Sequence, residues 1–266
     1  MKKICIYGKG GIGKSTTVAN LAASFALMGL KTAVIGCDPK ADSTRNLVGE
    51  KIPAVLELMR AGKTEIPFWR EGFGGVLCIE SGGPEPGTGC AGRGIIAAME
   101  QLKKQDLLAD RDVILYDVLG DVVCGGFSMP LRQGIADRVF LVTTSDYMSL
   151  YAANNICRGV KRYAESGAVR LGGIIGNSRS SMGSPELLEA FSRRIGTHLT
   201  GIIPMSREIS MAELHRKTVV EAFPESEAAA VFRRIAERLL CEDEPCIPTP
   251  MTDDEVEALC RAYLEP

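Results

Sequence analysis

The stretch Gly8-Lys9-Gly10-Gly11-Ile12-Gly13-Lys14-Ser15 decides the fold of this 266-residue chain. It matches the pattern GxxxxGK[ST] and lies between an apolar run, Ile4–Tyr7, and a helical pattern, Ser15–Met28. The motif needs this strand–loop–helix context, because the backbone N–H groups of the glycines and the helix N-terminus together surround a phosphate. The stretch therefore predicts a phosphate-binding loop in an α/β domain.

Strand-like and helical patterns alternate along the rest of the chain. Apolar, β-rich runs predict further strands at Thr32–Gly36, Val76–Ile79, Val113–Tyr116, Val139–Thr143, Leu171–Ile175 and Gly201–Ile203. Helical patterns occupy Gly94–Lys104, Leu150–Ser166, Pro185–Ile195 and Glu225–Leu240. We expect one α/β domain over residues 1–266, with a mostly parallel sheet and helices on both faces. Residues 242–266 are expected to form a surface tail that ends in a helix, Asp253–Leu264.

The composition excludes several classes of protein. With 31 Lys+Arg and 33 Asp+Glu the net charge is −2, so the whole molecule has no pull toward nucleic acid or anionic lipid. Aromatic residues, at 6%, are too few for base-stacking surfaces. No run approaches the roughly 20 apolar residues of a membrane span. Residues 1–7 are followed directly by glycines and a lysine, so the N-terminus lacks the longer apolar segment of a secretory signal. We expect a cytoplasmic protein that binds neither nucleic acid nor membrane.

The residue types in the loop suit a nucleoside triphosphate. Lys14 would reach the β- and γ-phosphates, and the Ser15 hydroxyl would ligate Mg²⁺. The residues assigned to the nucleotide here are Gly8, Lys9, Gly10, Gly11, Ile12, Gly13, Lys14, Ser15 and Thr16.

Two carboxylates follow predicted strands. Asp38 comes after Thr32–Gly36, and Asp117 comes after Val113–Tyr116. A lone aspartate at a strand end is more often a turn or cap residue. Two at the carboxyl ends of parallel strands favour a role beside the phosphates, with Asp117 holding Mg²⁺ through water.

The cysteine count is odd, at nine, so reduced thiols or metal ligands are expected rather than disulfides. Cys90 and Cys124 lie in the glycine-rich stretches GTGCAG and VVCGG, which would let a bulky ligand approach. Two thiolates are too few for a four-cysteine site, whereas a homodimer supplies four. Two buried core thiols are the alternative. The pair Cys241 and Cys246 could chelate a metal, although unpaired thiols are favoured there. Core or helical thiols are expected at Cys5, Cys37, Cys78, Cys157 and Cys260.

Six longer stretches resemble the nitrogenase iron protein family, which includes the reductase components of nitrogenase-like enzymes. They are GKGGIGKSTT (8–17), GCDPKADST (36–44), ESGGPEPGTGCAGRGI (80–95), YDVLGDVVCGGF (116–127), YAANNI (151–156) and VRLGG (169–173). The resemblance implies a homodimer that binds MgATP on each subunit and hydrolyses it to ADP. It also implies one [4Fe–4S] cluster, held by Cys90 and Cys124 of both chains. Single electrons would pass to a heteromeric nitrogenase-like partner, with a ferredoxin or flavodoxin as the upstream donor.

The same resemblance assigns residues to ATP hydrolysis. Lys9 would cross the subunit interface to the nucleotide of the partner, and Asp121 would orient or activate the attacking water. Catalytic roles therefore fall on Lys9, Lys14, Asp38 and Asp121.

The resemblance also assigns two switch segments and four individual residues. Asp38–Thr44 would be the first switch segment, and Asp117–Asp121, which leads to Cys124, the second. Lys40 and Asp42 would lie near the phosphates, Asn177 would contact adenine, and Arg93 would lie on the docking face.

The sequence departs from the family at Ser145-Asp146-Tyr147-Met148 and at Pro204-Met205-Ser206, and it stops at Pro266, where nitrogenase iron proteins generally have a longer tail. These departures favour a nitrogenase-like reductase, for example of a methylthio-alkane reductase, over a true nitrogenase iron protein. A non-redox dimeric ATPase of the partitioning type would need a basic surface or tail, and residues 251–257 are acidic. A cluster carrier that uses the same cysteine pair is the remaining alternative.

Overall fold

The structure is a computed structural model that describes residues 1–63, 66–83, 92–118, 120, 129–132, 134–179, 184–241 and 245–265, without the side chains of residues 92–94. The strands in these ranges are β1 (Lys2–Tyr7), β2 (Thr32–Gly36), β3 (Trp69–Glu71), β4 (Leu77–Glu80), β5 (Val113–Asp117), β6 (Arg138–Thr143), β7 (Arg170–Asn177) and β8 (Leu199–Ile203). The α-helices are α1 (Lys14–Leu27), α2 (Arg45–Val48), α3 (Val55–Arg60), α4 (Gly92–Lys104), α5 (Tyr147–Ala164), α6 (Pro185–Ile195), α7 (Arg207–Leu214), α8 (Val219–Ala222), α9 (Glu227–Cys241) and α10 (Asp253–Leu264).

The strands form one eight-stranded sheet in the order β3-β4-β2-β5-β1-β6-β7-β8. Every neighbouring pair is parallel except β3 and β4, which run antiparallel. The predicted α/β class with a mostly parallel sheet is confirmed. The first strand of the chain lies inside the sheet, where Ile4 pairs with Leu115 on one side and Arg138 on the other. The loop after β1 therefore leaves from the middle of the sheet.

The core lies on both faces of the sheet, as predicted. On one face, Phe25 of α1 and Phe232 of α9 pack with Phe140 of β6. On the other, α4, α5 and α6 cover Tyr7 and Tyr116. Among the helices that the structure describes, none is long and apolar enough to cross a membrane.

The tail from residue 245 to 265 is bound to the domain by backbone hydrogen bonds. Leu171 and Cys246 donate to each other's carbonyl oxygens at 2.9 Å, and the Thr249 N–H donates to Ile195 O at 2.8 Å. Thr252 and Glu255 form a capping box at the start of α10. The predicted helix Asp253–Leu264 is confirmed, and it packs against α5 and α6.

The structure also differs from the predictions, chiefly in short elements. β3, α2, α3, α7 and α8 were not predicted, since segments of three to eight residues carry too little periodicity. Helix α5 begins at Tyr147 rather than Leu150, because the Asp146 carboxylate accepts a hydrogen bond from the Ser149 N–H at 3.0 Å and caps the helix.

Candidate nucleotide site

The phosphate loop turns directly into α1. Gly13 precedes the helix in the left-handed conformation, with φ of 99°, and no side chain caps the helix. The first N–H groups of a helix have no partner inside the helix, and the helix dipole is positive there. The end of the loop therefore offers backbone donors to an anion.

The segment after β5 has a glycine where it faces the phosphate loop, because the two backbones lie very close together there. A Cβ atom at position 120 would lie 1.9 Å from the backbone oxygen of Gly8. Gly120 follows Asp117 by three residues. The chain leaving β5 therefore passes directly against the phosphate loop, and no side chain fits between them.

The loop borders a cavity of about 590 Å³ at the carboxyl ends of the strands. The predicted site residues that line it are Gly10, Gly11, Gly13, Lys14, Ser15, Thr16, Asp38, Lys40, Asp42, Asp117 and Asn177. Gly8, Lys9 and Ile12 belong to the loop but not to this lining. The backbone oxygen of Lys9 accepts a hydrogen bond from Lys14 Nζ at 3.0 Å.

Three acidic residues stand at the ends of adjacent strands beside the loop. Glu80 ends β4, Asp38 follows β2 and Asp117 ends β5, and these strands are neighbours in the sheet. The next strand, β1, carries the phosphate loop. Parallel order therefore gathers the acids and the loop at one edge.

Asp117 has the chemistry of a metal-binding carboxylate. Its exposed fraction is 2%, and its Oδ2 atom has no hydrogen-bond partner. Burial raises the pKa of Asp117, and the Ser15 hydroxyl and the Lys14 charge act in the opposite direction. A buried carboxylate oxygen without a partner, beside a hydroxyl, suits Mg²⁺, which prefers oxygen ligands. The residues present therefore fit the ion that the loop motif implies.

The segment 38–44 is a tight turn fixed at both ends. At its start, Asp38 Oδ1 accepts a hydrogen bond from the Lys40 N–H at 2.9 Å, and Asp38 O accepts one from the Ala41 N–H at 3.0 Å. At its end, Glu80 Oε1 accepts from the N–H of Thr44 at 2.7 Å and from its hydroxyl at 2.8 Å.

Asn177 lies at the end of β7 and holds the loop from the other side. Its Nδ2 donates to Ile12 O at 2.7 Å, and the Arg179 guanidinium donates to Gly11 O. The side chain of Asn177 also lines the cavity.

Sequence reasoning missed one acidic residue of the cavity lining and a second one, Glu80, that lies outside this lining. Glu213 accepts a hydrogen bond from the Thr16 hydroxyl and lines the cavity, but it lies on α7, which was not predicted. Glu80 is the first residue of the stretch 80–95, and no role was predicted for it. The signal that could have found it was an acid at the end of a predicted strand, the same signal that identified Asp38 and Asp117.

Several predicted site residues lie outside the described residues. These are Asp121, Cys90 and Cys124, together with the side chain of Arg93, whose backbone lies in α4. Among the described residues, no group of three or more His, Cys, Asp or Glu side chains could hold a metal ion.

The described cysteines are free thiols, and most of them lie in the core. Burial raises the pKa of Cys5, Cys37, Cys78 and Cys157. Metal binding requires the thiolate. These four thiols are therefore poor metal ligands, whereas Cys241 is exposed and Cys246 is half-buried.

Comparison with known proteins gives a family match over nearly the whole chain. The model of the 4Fe-4S iron sulfur cluster binding proteins, NifH/frxC family, matches residues 2–265. A protein of Methanococcus voltae named nitrogenase iron protein is 49% identical over 271 residues, covering 100% of this chain and 98% of its own. Nitrogenase iron protein 2 of Methanothermobacter thermautotrophicus is 49% identical, covering 99% and 98%.

Solved structures of more distant proteins share the fold. The cell division ATPase MinD of Pyrococcus furiosus superposes with a TM-score of 0.69 at 21% identity, covering 90% of this chain and 98% of its own. Cobyrinic acid a,c-diamide synthase of Mycobacterium smegmatis gives 0.67 at 18% identity, covering 90% and 94%. At these identities the likeness concerns the fold alone.

Proposed function

The chain belongs to the NifH/frxC family of 4Fe-4S iron sulfur cluster binding proteins, and we propose that it is the ATP-dependent reductase component of a nitrogenase-like enzyme. It would pass single electrons to a catalytic partner while it hydrolyses MgATP. The observation that carries the proposal is the cavity where the phosphate loop, Lys14 and Asp117 meet. Similarity over the whole length to proteins named nitrogenase iron protein supports the reductase role.

In this proposal, Cys90 and Cys124 of two identical chains hold one [4Fe–4S] cluster between the subunits. Thiolates are the usual ligands of such clusters, and a twofold pair of chains supplies four. The cluster, when bound, supplies a site that accepts and gives up one electron. The high pKa of the buried thiols supports this assignment, because it removes most of the competing cysteines.

ATP hydrolysis here would depend on positioning and charge. Lys14 would neutralise the β- and γ-phosphates, while Ser15 would ligate Mg²⁺ and Asp117 would hold it through water. The partner subunit's Lys9 adds a second positive charge at the same nucleotide. Asp121 orients the attacking water, and Asp38 assists beside the phosphates.

The path from nucleotide to cluster follows the chain after β5. Cys124 lies seven residues after Asp117, and the intervening Gly120 touches the backbone of the phosphate loop. A change at the phosphates would therefore shift the second switch segment, Asp117–Asp121, and with it a cluster ligand.

The partner we propose is the heteromeric catalytic component of a nitrogenase-like enzyme, with methylthio-alkane reductase as one example. Two residues at the points of departure from the family are exposed methionines, Met148 at 54% and Met205 at 65%. Met205 lines the nucleotide cavity, whereas Met148 is not part of that lining and suits a different partner surface. Arg93 is proposed as a docking residue, and a ferredoxin or flavodoxin as the electron donor. The names of the relatives favour a second candidate, a nitrogenase iron protein in the strict sense.

Iron content tests the cluster assignment. We expect the anaerobically reconstituted protein to be a brown dimer, and Cys90→Ser to lose the cluster. The matched control is Cys241→Ser, which changes an exposed thiol outside the proposed ligand set and should leave iron content and visible absorption unchanged. A protein without iron after reconstitution, or a full cluster in Cys90→Ser, would contradict the proposal.

Trapping the complex tests the partner. ADP with aluminium fluoride mimics the transition state of hydrolysis and should hold the docked complex together for identification of the second protein. A nitrogenase-like component supports the proposal, and a dinitrogenase supports the second candidate. Arg93→Glu should reduce the recovered partner without changing reduction of the cluster, and unchanged recovery would remove Arg93 from the docking face.

A further inference from the structure

The chain that leaves β4 is in direct contact with the first switch segment. Glu80, the last residue of β4, is fully buried and accepts two hydrogen bonds from Thr44, from the N–H at 2.7 Å and from the hydroxyl at 2.8 Å. Both bonds end on the same oxygen, Oε1. The end of the switch segment is therefore fixed to the sheet through one carboxyl group.

The next residues along the chain touch the switch segment and the strand before it. The Ser81 N–H donates to Gly36 O at 2.9 Å, just before the segment begins. A Cβ atom at position 83 would lie 2.4 Å from Pro39 Cβ, so Gly83 packs directly against Pro39. Residues 80–83 thus contact both ends of the segment 38–44.

The contact between residues 38–44 and residues 80–83 joins a segment that lines the cavity to a segment that continues toward Cys90. Toward the cavity, the segment presents Asp38, Lys40 and Asp42. In the other direction, Cys90 follows Gly83 by seven residues. The contacts with Thr44 and Pro39 therefore lie where the stretch that leads to Cys90 begins.

The carboxyl group of Glu80 has unused hydrogen-bonding capacity. Its Oε2 atom is buried without a hydrogen-bond partner. Buried polar atoms are normally paired. Glu80 Oε2 can therefore accept a further hydrogen bond if the end of the switch segment is displaced.

We propose that Glu80 is a positioning residue that couples the first switch segment to the stretch carrying Cys90. This inference rests on the proposed function, in which Cys90 is a cluster ligand. It adds a route for nucleotide state to reach the cluster, separate from the one through Asp117 and Cys124. Gly83 is the second contact of this route.

The experiment compares Glu80→Ala with Glu80→Gln, whose amide oxygen can accept both Thr44 bonds. Glu71→Ala, at an exposed acid on β3, is the matched control. Hydrogen exchange followed by mass spectrometry, with and without MgATP, reports on peptides covering residues 38–44 and 80–95. In the cluster-loaded protein, the rate at which a ferrous chelator removes iron reports on the cluster.

We expect MgATP to change exchange in both peptides of the wild type and of the Glu71→Ala control. In Glu80→Ala the change should be confined to residues 38–44, and the effect of MgATP on iron release should fall at least about fivefold. The dissociation constant of ATP should stay within about twofold of the wild type, and Glu80→Gln should behave like the wild type. A merely structural role would not separate these readouts.

The inference is overturned if Glu80→Ala keeps the full response of residues 80–95, or if it loses ATP binding together with that response. It is also overturned if Glu80→Gln fails to restore the response. Failure of the proposed function would look different, because the wild type would then hold no cluster while its exchange response to MgATP could still be measured.

Discussion

Lys14 is the side chain that we propose binds the phosphates of the nucleotide. It is 7% exposed, and its ammonium donates to the backbone oxygen of Lys9 inside the phosphate loop. We expect Lys14→Met to weaken ATP binding by about 100-fold or more, since a charged hydrogen bond to phosphate is lost while the apolar stem is kept. Calorimetric titration with MgATP measures the effect.

The control for this change is Lys31→Met, which alters an exposed lysine paired with Asp110. Its ATP affinity should equal that of the wild type. If Lys14→Met also bound ATP normally, the phosphate role of Lys14 would be wrong.

Glu80 gives the protein a predictable pH dependence. Burial raises the pKa of Glu80 from an ordinary value of 4.5 to about 8, and the charges of Asp117 and Asp42 act in the same direction. The folded state therefore keeps a proton that the unfolded chain releases. The stabilising effect is greatest below about pH 4.5 and is lost as pH rises toward 8, with a slope of up to about 1.4 kcal/mol per pH unit.

Urea unfolding between pH 5.5 and 8.5 tests this dependence. Glu80→Gln carries no titrating proton at this position, so its free energy of unfolding should fall less steeply with pH than that of the wild type. Parallel curves for the two proteins would show that Glu80 does not titrate in this range.

Local and non-local residues of the site differ in how far the sequence could predict them. The residues of the phosphate loop are contiguous, so their spacing alone placed Lys14 and Ser15. Asp38 and Asp117 were found because each follows a strand-like run. The contact of Glu80 with Thr44, by contrast, depends on the order of strands in the sheet, which puts β4 beside β2, and it spans 36 residues.

Among the elements, helix α5 and the tail are joined by one amide side chain. Asn154 is buried, donates to Met251 O at 2.8 Å and accepts from the Met251 N–H at 2.9 Å. We expect Asn154→Ala to lower the free energy of unfolding by about 1–3 kcal/mol, because the Met251 N–H loses its partner, while Met251 O keeps a hydrogen bond from Arg158 at 2.9 Å. Denaturant unfolding measures this change.

The neighbouring residue provides the comparison. Asn155 accepts one hydrogen bond from the exposed side chain of Arg158, so Asn155→Ala should cost less than about 1 kcal/mol. Equal losses of unfolding free energy in the two variants would mean that the hydrogen bonds between Asn154 and Met251 do not stabilise the fold.

Elements with strong periodicity were predictable, and those defined by tertiary contacts were not. Helix α6 has the predicted bounds because Ser184 caps it and Gly196 ends it with φ of 85°. Strand β7 is longer than predicted at both ends, over Arg170–Asn177. It contains Gly172, where a Cβ atom would lie 2.5 Å from the ring of Phe140, and such a packing requirement cannot be read from a local pattern.

For the whole molecule, the central question is which subunit supplies Lys9 to a given nucleotide. We expect Lys9→Gln and Lys14→Ala to be inactive in ATP hydrolysis as separate homodimers. Mixed dimers should regain one working site, because the Lys9→Gln subunit keeps its own Lys14 and receives the partner's Lys9. Equal mixing would then restore about a quarter of wild-type activity.

Phosphate release from co-expressed, differently tagged chains measures this recovery. If Lys9 served the nucleotide of its own chain, neither site of a mixed dimer would contain both lysines. Mixed dimers would then be as inactive as the two parents.

The position of β1 inside the sheet also delays its pairing while the chain is being translated. This strand needs β5 and β6 as neighbours, yet residues 113–143 are translated long after residues 2–7. At about 5–20 residues per second, a ribosome takes roughly 7 to 27 seconds to deliver them. During that interval the nascent chain exposes a strand whose two edges are both unpaired, which is a risk for association with other chains.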